Sequence, residues 1–202
     1  ILPTTQFDIW LMQTPSAKWQ SLVSHWLITS RLSGLVGKDE SKNVAPLGPE
    51  LDRVSAAPIR KLTLRLLSEN ASAAPEFNSL AALAQWHMPA KRSNGIPTDY
   101  LQWTLREAEW LGITGQGVIS KYGIELLNGG DLESINEDLP KPVDHILIQS
   151  DHTAIAPGPL EHEIAQELAI LAEIESRGGA TVYRFSEATI RRGLDHGRTG
   201  DE

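Results

Sequence analysis

The sequence predicts an α+β protein in which a helical, winged-helix-like lobe precedes a small β-β-α-β-α domain. Apolar side chains recur at helical spacing through most of residues 1–128, whereas short alternating segments bounded by turn residues follow from residue 143. The 202 residues are 41% hydrophobic and 22% charged, which is enough apolar material for a buried core. The chain has no cysteine and no apolar run near the ~20 residues of a membrane span, so we expect neither a disulfide framework nor a transmembrane helix.

The first strong helical signal follows Thr14, which we expect to cap a helix whose first position is Pro15. The apolar stripe of this helix consists of Trp19, Leu22, Val23, Trp26 and Leu27. We interpret the two tryptophans as core residues rather than as a ligand site, because rings on one helix stripe usually bury a large apolar area. A shorter helix is expected over residues 7–12, and the polar, proline- and glycine-containing residues 37–57 predict a linker.

Three further helices and a β-hairpin are predicted after this linker. The first helix begins near Pro58, the second is capped by Asn78 or Ser79, and the third is capped by Thr98. Two short strands then surround a glycine turn, and Ser120 caps a short final helix. This order of elements is that of a winged helix, although a small helical bundle with a hairpin would also produce it.

A second linker, residues 129–142, separates this lobe from a C-terminal domain at residues 143–200. The element order predicted for that domain is a hairpin, a helix that ends at Gly178, a strand over residues 181–185 and a last helix. The apolar residues expected to face inward are Ile164, Leu168, Leu171, Tyr183, Phe185, Ile190 and Leu194.

No catalytic motif is present in the sequence. The nearest approach to a phosphate-binding loop is residues 34–39, where the glycine spacing is too short and Asp39 would place a negative charge against phosphate. Asp151, His152 and His162 could supply metal ligands, but a solvated turn beside a helix start accounts for them better. We therefore expect no catalytic residues, no metal and no cofactor, and any ATPase activity would lie outside this chain.

The charge distribution restricts nucleic-acid binding to local patches. The net charge is −8; residues 1–140 contain 12 basic and 15 acidic side chains, and residues 141–202 contain 6 and 11. The candidate contacts to DNA phosphates form two groups, which are Arg60, Lys61 and Arg65, and Arg191, Arg192 and Arg198. The alternative is that both groups are solvated helix faces. Glu107 and Glu109 on the expected reading helix predict that any DNA binding is weak and indifferent to sequence.

The C-terminal domain resembles a known family. Residues 143–160, 167–171, 175–186 and 190–194 are similar to the helicase-associated domain of actinobacterial XPB-like proteins and to the non-motor N-terminal domain of the XPB helicase. The upstream stretches 19–37 and 105–112 also look like helicase-associated proteins of that group.

The resemblance implies a non-catalytic accessory region of a cytoplasmic, DNA-repair-related helicase system. Such a region would dock a partner protein of a helicase or repair complex, or position DNA for a motor located elsewhere. In the XPB helicase the related domain mainly docks a partner protein, which implies that DNA contact is the lesser role. The alternative is a protein–protein interaction scaffold or regulator that does not bind DNA.

Overall fold

The computed structural model describes residues 4–37, 44–88, 95–130 and 132–199. The fold is α+β, as predicted, with helices concentrated toward the N-terminus and two small antiparallel sheets. Residues 38–43 of the expected linker and residue 200 of the expected C-terminal domain lie outside the described residues, and so does Asp39 of the rejected phosphate loop. No helix in the described ranges combines the length and the apolar character needed to cross a membrane.

The chain divides into two compact units, Pro15–Ile135 and a unit formed by Ile1–Thr14 with Asn136–Glu202. The division falls inside the expected linker 129–142. The existence of independent domains at residues 1–128 and 143–200 stays a prediction.

Helices dominate the part of the chain up to residue 138. They are α1 (Thr5–Leu11), α2 (Pro15–Ile28), α3 (Ala56–Glu69), α4 (Phe77–His87), α5 (Thr98–Trp110), α6 (Lys121–Asn128) and α7 (Ile135–Asp138), with short 3-10 helices at Ser33–Leu35 and Pro49–Leu51. Strands β1 (Thr114–Gly115) and β2 (Val118–Ile119) form the expected hairpin between α5 and α6.

Helix α3 is the centre of the Pro15–Ile135 unit, because it packs against α2, α4, α5, α6 and β2. Eight of its 14 residues are buried. Five of the eight form one apolar core with Val23, Ala84, Ala108 and Ile113, which are fully buried; the five are Ile59, Leu62, Leu64, Leu66 and Leu67. The tryptophans of α2, Trp19 and Trp26, are half-buried against this core, which is close to the packing role that we expected.

The predicted helix starts are partly correct. Helix α2 begins at Pro15, and the Ser120 side chain accepts a hydrogen bond from the Gly123 amide at the start of α6, as expected. The cap of α4 is instead Glu76, whose carboxylate accepts from the Ser79 amide. Glutamate is a rare capping residue, so the pattern favoured the asparagine and serine that follow it.

The C-terminal unit contains one strand more than we predicted. Its elements are β3 (Leu147–Ile148), β4 (Thr153–Ala156), α8 (His162–Leu171), β5 (Glu173–Arg177), β6 (Thr181–Arg184) and α9 (Glu187–Asp195). The four strands form one antiparallel sheet in the order β3-β4-β6-β5. The order β-β-α-β-α is therefore wrong and the structure has β-β-α-β-β-α.

The additional strand, β5, occupies residues that we assigned to the end of a helix. Helix α8 ends at Leu171, and the next residue, Ala172, is already in an extended conformation (φ −141°, ψ 168°). All five residues of β5 are exposed at the sheet edge, and a bulge lies between Ile174 and Ser176. Exposure and the bulge remove the alternation of apolar and polar residues that identifies a strand in sequence.

Helix α9 also buries a different face from the one that we predicted. Thr189 and Gly193 are buried, whereas Ile190 and Leu194 are 44% and 54% exposed. The buried face approaches α8 closely, because a Cβ atom at Gly193 would run into the Leu171 side chain. Small residues therefore form this contact, and the larger apolar residues lie outside it.

Of the seven residues expected to face inward in this unit, one is buried. It is Leu168, at 4% exposure, while Ile164, Leu171, Tyr183 and Phe185 are only half-buried. A small unit buries a smaller fraction of its surface than a large one, which leaves these side chains partly open to water.

We expect Gly123→Ala to lower the free energy of unfolding by about 1–3 kcal/mol, the usual cost of overpacking a tight site. A Cβ atom there would lie 2.5 Å from the Ile113 carbonyl oxygen and 2.8 Å from Ile119 Cγ1. The backbone oxygen has little freedom to move, so the clash outweighs the helix propensity that alanine adds. Urea denaturation measures the change.

Gly115→Ala is the matched control, since no atom lies within 4 Å of its Cβ position. Equal stability of the Gly123→Ala variant and the parent would show that α6 does not pack this closely on β2.

Candidate nucleic-acid and partner interface

Arg60, the first of the six cations that the sequence offered to DNA, lies inside the Pro15–Ile135 unit and is 1% exposed. Its guanidinium donates hydrogen bonds to the carbonyls of Trp26 (3.0 Å), Thr29 (2.7 Å) and Arg31 (2.6 Å) at the C-terminal end of α2. Arginine side chains stabilise helix C-termini in this way, because the last carbonyls have no partner within the helix.

The guanidinium of Arg60 also forms an ion pair with Glu107 of α5, with 3.2 Å between Nη2 and Oε2. The Glu107 carboxylate is 8% exposed and accepts from Trp26 Nε1 at 2.6 Å and from Ser33 Oγ at 2.5 Å. The Trp26 ring lies 5.2 Å from the guanidinium carbon. We call Arg60, Glu107 and Trp26 the buried ion-pair cluster.

Burial lowers the pKa of Arg60 below its ordinary value, and the charge and hydrogen bond of Glu107 oppose that shift. Arginine nevertheless stays protonated at neutral pH, because the guanidinium gives up its proton only under strongly basic conditions. The cluster is therefore a charged pair whose partners compensate each other away from water.

The position of the cluster changes two expectations. Arg60 has no exposed guanidinium to offer to a phosphate, so its burial conflicts with a role at a DNA surface. Glu107 faces the interior, so the repulsion of DNA that we expected from it is wrong; Glu109 remains exposed. The sequence contained a signal for the burial of both residues. Arg60 shares a helix stripe with Ala56, Thr63 and Leu64, and Glu107 precedes Ala108 on the buried face of α5.

The other two cations of the first group, Lys61 and Arg65, are exposed on α3. Arg65 has a side-chain exposure of 58% and approaches Glu69 at 4.0 Å, one turn further along the same helix. An exposed pair at this distance adds little stability, so Arg65 remains accessible to an external anion.

The second group contains two cations that bind their own unit. Arg192 of α9 donates from Nε to the Ile170 carbonyl (2.7 Å) and from Nη2 to the Ala172 carbonyl (3.2 Å), and so covers the C-terminal end of α8. Arg198 forms a bidentate pair with Glu167 at 2.8 and 2.5 Å. Arg191 is exposed on α9. The structure thus leaves Lys61, Arg65 and Arg191 facing solvent, and whether they bind DNA stays a prediction.

The group considered for metal binding has a structural role at its hairpin. The Asp151 carboxylate accepts from the Thr153 amide (3.2 Å) and from Thr153 Oγ1 (2.6 Å), and these bonds lower the pKa of Asp151. His152 adopts a positive φ of 63° in the turn. Among the described residues, no three histidine or carboxylate side chains are grouped as metal ligands.

Helix α9 presents an apolar pair to solvent, Ile190 and Leu194, which we call the α9 stripe. The two residues are one turn apart and therefore lie on the same helix face. The exposed cation Arg191 lies beside them in sequence. An apolar helix stripe with a neighbouring charge is the usual composition of a protein contact surface.

We expect Arg60→Ala to lower the free energy of unfolding by about 3–5 kcal/mol, because it leaves Glu107 buried without its counter-charge and three carbonyls without a donor. Arg65→Ala is the matched control on the exposed side of α3, and its effect should stay within about 0.5 kcal/mol. Thermal or urea unfolding measures both. An Arg60→Ala variant as stable as the parent would contradict the assignment of this pair as the link between α2, α3 and α5.

The C-terminal segment has a match among known protein families. Residues 146–202, somewhat more than a quarter of the chain, match the family model described as the helicase conserved C-terminal domain. The matched range contains the sheet β3–β6 with α8 and α9. Searches of curated proteins and of solved structures found no match to the chain. These findings support a helicase-associated C-terminal domain in the segment that carries the α9 stripe.

Proposed function

We propose that the chain is a non-catalytic accessory region of an XPB-like helicase system that functions in DNA repair, and that it docks a partner protein while the motor lies elsewhere. The observation that carries this proposal is the match of residues 146–202 to a helicase C-terminal domain. The resemblance of residues 143–160 to the domain that accompanies XPB-type motors agrees with it. The sequence supplies no phosphate-binding loop that would make the chain itself the motor.

Docking of a protein agrees better with the surface of the C-terminal unit than binding of DNA. Two of its three candidate cations, Arg192 and Arg198, bind groups of the same unit. The net charge of the chain is −8, which opposes approach to a polyanion. The α9 stripe, by contrast, exposes two adjacent apolar side chains that a protein partner would cover.

The helical unit is compatible with a winged-helix-like arrangement, because three helices, α3 to α5, precede a two-stranded hairpin. In that arrangement α5 would be the reading helix. Its buried residues include Trp103 and Glu107, while Glu109 and Trp110 are exposed. A reading helix that exposes a carboxylate and a tryptophan is poorly suited to base recognition, which favours a scaffold role for this unit as well.

We expect the purified chain to bind the XPB-type helicase motor of the same organism. The double variant Ile190→Ser/Leu194→Ser should weaken that binding at least about tenfold, because apolar residues at the centre of an interface carry much of the affinity. Isothermal titration calorimetry measures the complex. The chain alone should not hydrolyse ATP, with or without DNA.

Leu47→Ser/Val54→Ser is the matched control, because it removes two exposed apolar side chains from the other unit. It should leave the affinity within about twofold, and both double variants should melt close to the parent because surface substitutions usually change stability by less than ~0.5 kcal/mol each. Absence of a complex, or a complex that is indifferent to the α9 stripe, would contradict docking through this helix.

A second candidate role, weak positioning of DNA, is favoured by the exposure of Lys61, Arg65 and Arg191. If it exists, binding of duplex DNA should weaken about 40-fold between 50 and 200 mM salt, the change that three phosphate contacts produce. Each of the three alanine variants should reduce the slope of log affinity against log salt by about one. Fluorescence anisotropy measures this slope.

Arg177→Ala, which removes an exposed cation from β5, is the control and should leave the salt slope unchanged. Tight, sequence-specific binding that none of the three variants affects would place the DNA surface elsewhere. No binding at low salt would leave the interaction scaffold or regulator as the role of the chain.

A further inference from the structure

A groove of about 740 Å³ lies in the Pro15–Ile135 unit, beside the exposed side of α3. Its volume falls in the range of ~300–1,000 Å³ that is typical of binding sites. Helix α3 contributes Pro58, Lys61, Leu62, Arg65 and Ser68 to the lining. The C-terminal ends of α2, α4 and α6 contribute the remaining residues, which are Leu27, His87, Met88, Leu127 and Asn128.

The polar lining of the groove has one sign of charge. Lys61 and Arg65 of α3 are its charged lining residues, and none of the described residues that line the groove is acidic. This contrasts with a chain whose net charge is −8. A cationic concave surface in an acidic protein concentrates anionic ligands.

The floor of the groove is apolar. Leu62 is buried, and Leu27, Met88 and Leu127 are half-buried around it. A phosphate backbone has no apolar surface with which to cover these side chains, so DNA would use only the rim. A ligand that carries apolar groups and carboxylates together would cover the floor and pair with the rim.

We infer that this groove binds an acidic, leucine-bearing helical segment of a partner protein. Lys61 and Arg65 are four residues apart on α3, so their attachment points are separated by about 6 Å along the helix axis. Carboxylates four residues apart on a ligand helix have the same separation, and leucines on its neighbouring face would contact the apolar lining of the groove.

This inference does not depend on the helicase assignment. It concerns a surface outside the matched residues 146–202, and it is tested on the purified chain without any motor protein. The two proposals can therefore fail separately.

The probe is a fluorescein-labelled synthetic peptide of 15 residues in which leucine recurs at helical spacing and glutamate fills most other positions. We expect saturable binding by fluorescence anisotropy, and Lys61→Ala/Arg65→Ala should weaken it about tenfold through the loss of two ion pairs. Circular dichroism should show an unchanged fold, because both side chains are exposed.

Two controls separate the groove from general electrostatic attraction. Arg106→Ala/Arg177→Ala removes the same charge from exposed positions outside the groove and should change affinity by less than twofold. A peptide in which serine replaces every leucine keeps the charge and should bind at least about tenfold more weakly, because it cannot cover the apolar floor.

Three outcomes would overturn the inference. The first is no peptide binding at millimolar concentration, and the second is equal affinity for the leucine and serine peptides. The third is an equal loss of affinity in Lys61→Ala/Arg65→Ala and in Arg106→Ala/Arg177→Ala. Binding of duplex DNA that requires Lys61 and Arg65, in the absence of peptide binding, would assign the groove to nucleic acid instead.

Discussion

The helical unit depends on the buried pair of Arg60 and Glu107. The Arg60 guanidinium extends from α3, the helix at the centre of the core, and donates hydrogen bonds to carbonyls at the end of α2. It also forms an ion pair with the Glu107 carboxylate of α5. Buried charges are expensive unless paired and hydrogen-bonded, and here four of the five guanidinium donors have acceptors while Nε is buried without one among the described residues. An apolar pair of similar volume could fill the space, but it could not satisfy the carbonyls of Trp26 and Thr29. The pair therefore fixes where α2 ends and how α5 is rotated against it.

The same constraint decides which surface α3 offers. With Arg60 fixed toward α2 and α5, the helix geometry directs Lys61 and Arg65 away from the cluster, to the rim of the groove. Neighbouring cations in sequence thus have opposite roles, one structural and two exposed. A rotation of α3 by one residue would bury a lysine in place of an arginine, and lysine lacks the planar fork that reaches three carbonyls and a carboxylate.

Several features were predictable because each has a local cause, such as helical apolar spacing or a side chain that bonds its own backbone. They are the fold class, the helix that begins at Pro15, the three helices with their hairpin, and the cap at Ser120. The edge strand β5 and the facing of α9 were not predictable by the same reasoning. They depend on how closely α8 and α9 approach, which only the tertiary packing decides. The burial of Arg60 was not predictable for a related reason, since charge alone does not distinguish a solvated cation from one buried against a carboxylate 47 residues away in sequence.

The close approach of α8 and α9 has a consequence for the surface of the C-terminal unit. Because Thr189 and Gly193 form the contact, each apolar residue that follows them by one position is directed outward by 100° of helix rotation. Arg192 reinforces this orientation, since its bonds to the carbonyls of Ile170 and Ala172 resist any rotation of α9 that would bury Ile190 and Leu194. The hydrogen bonds of Arg192 thus maintain the exposure of the α9 stripe, which is not a result of weak packing. A stripe held outward in this way is preorganised, and a partner that covers it does not need to reorder the helix, which reduces the entropic cost of binding.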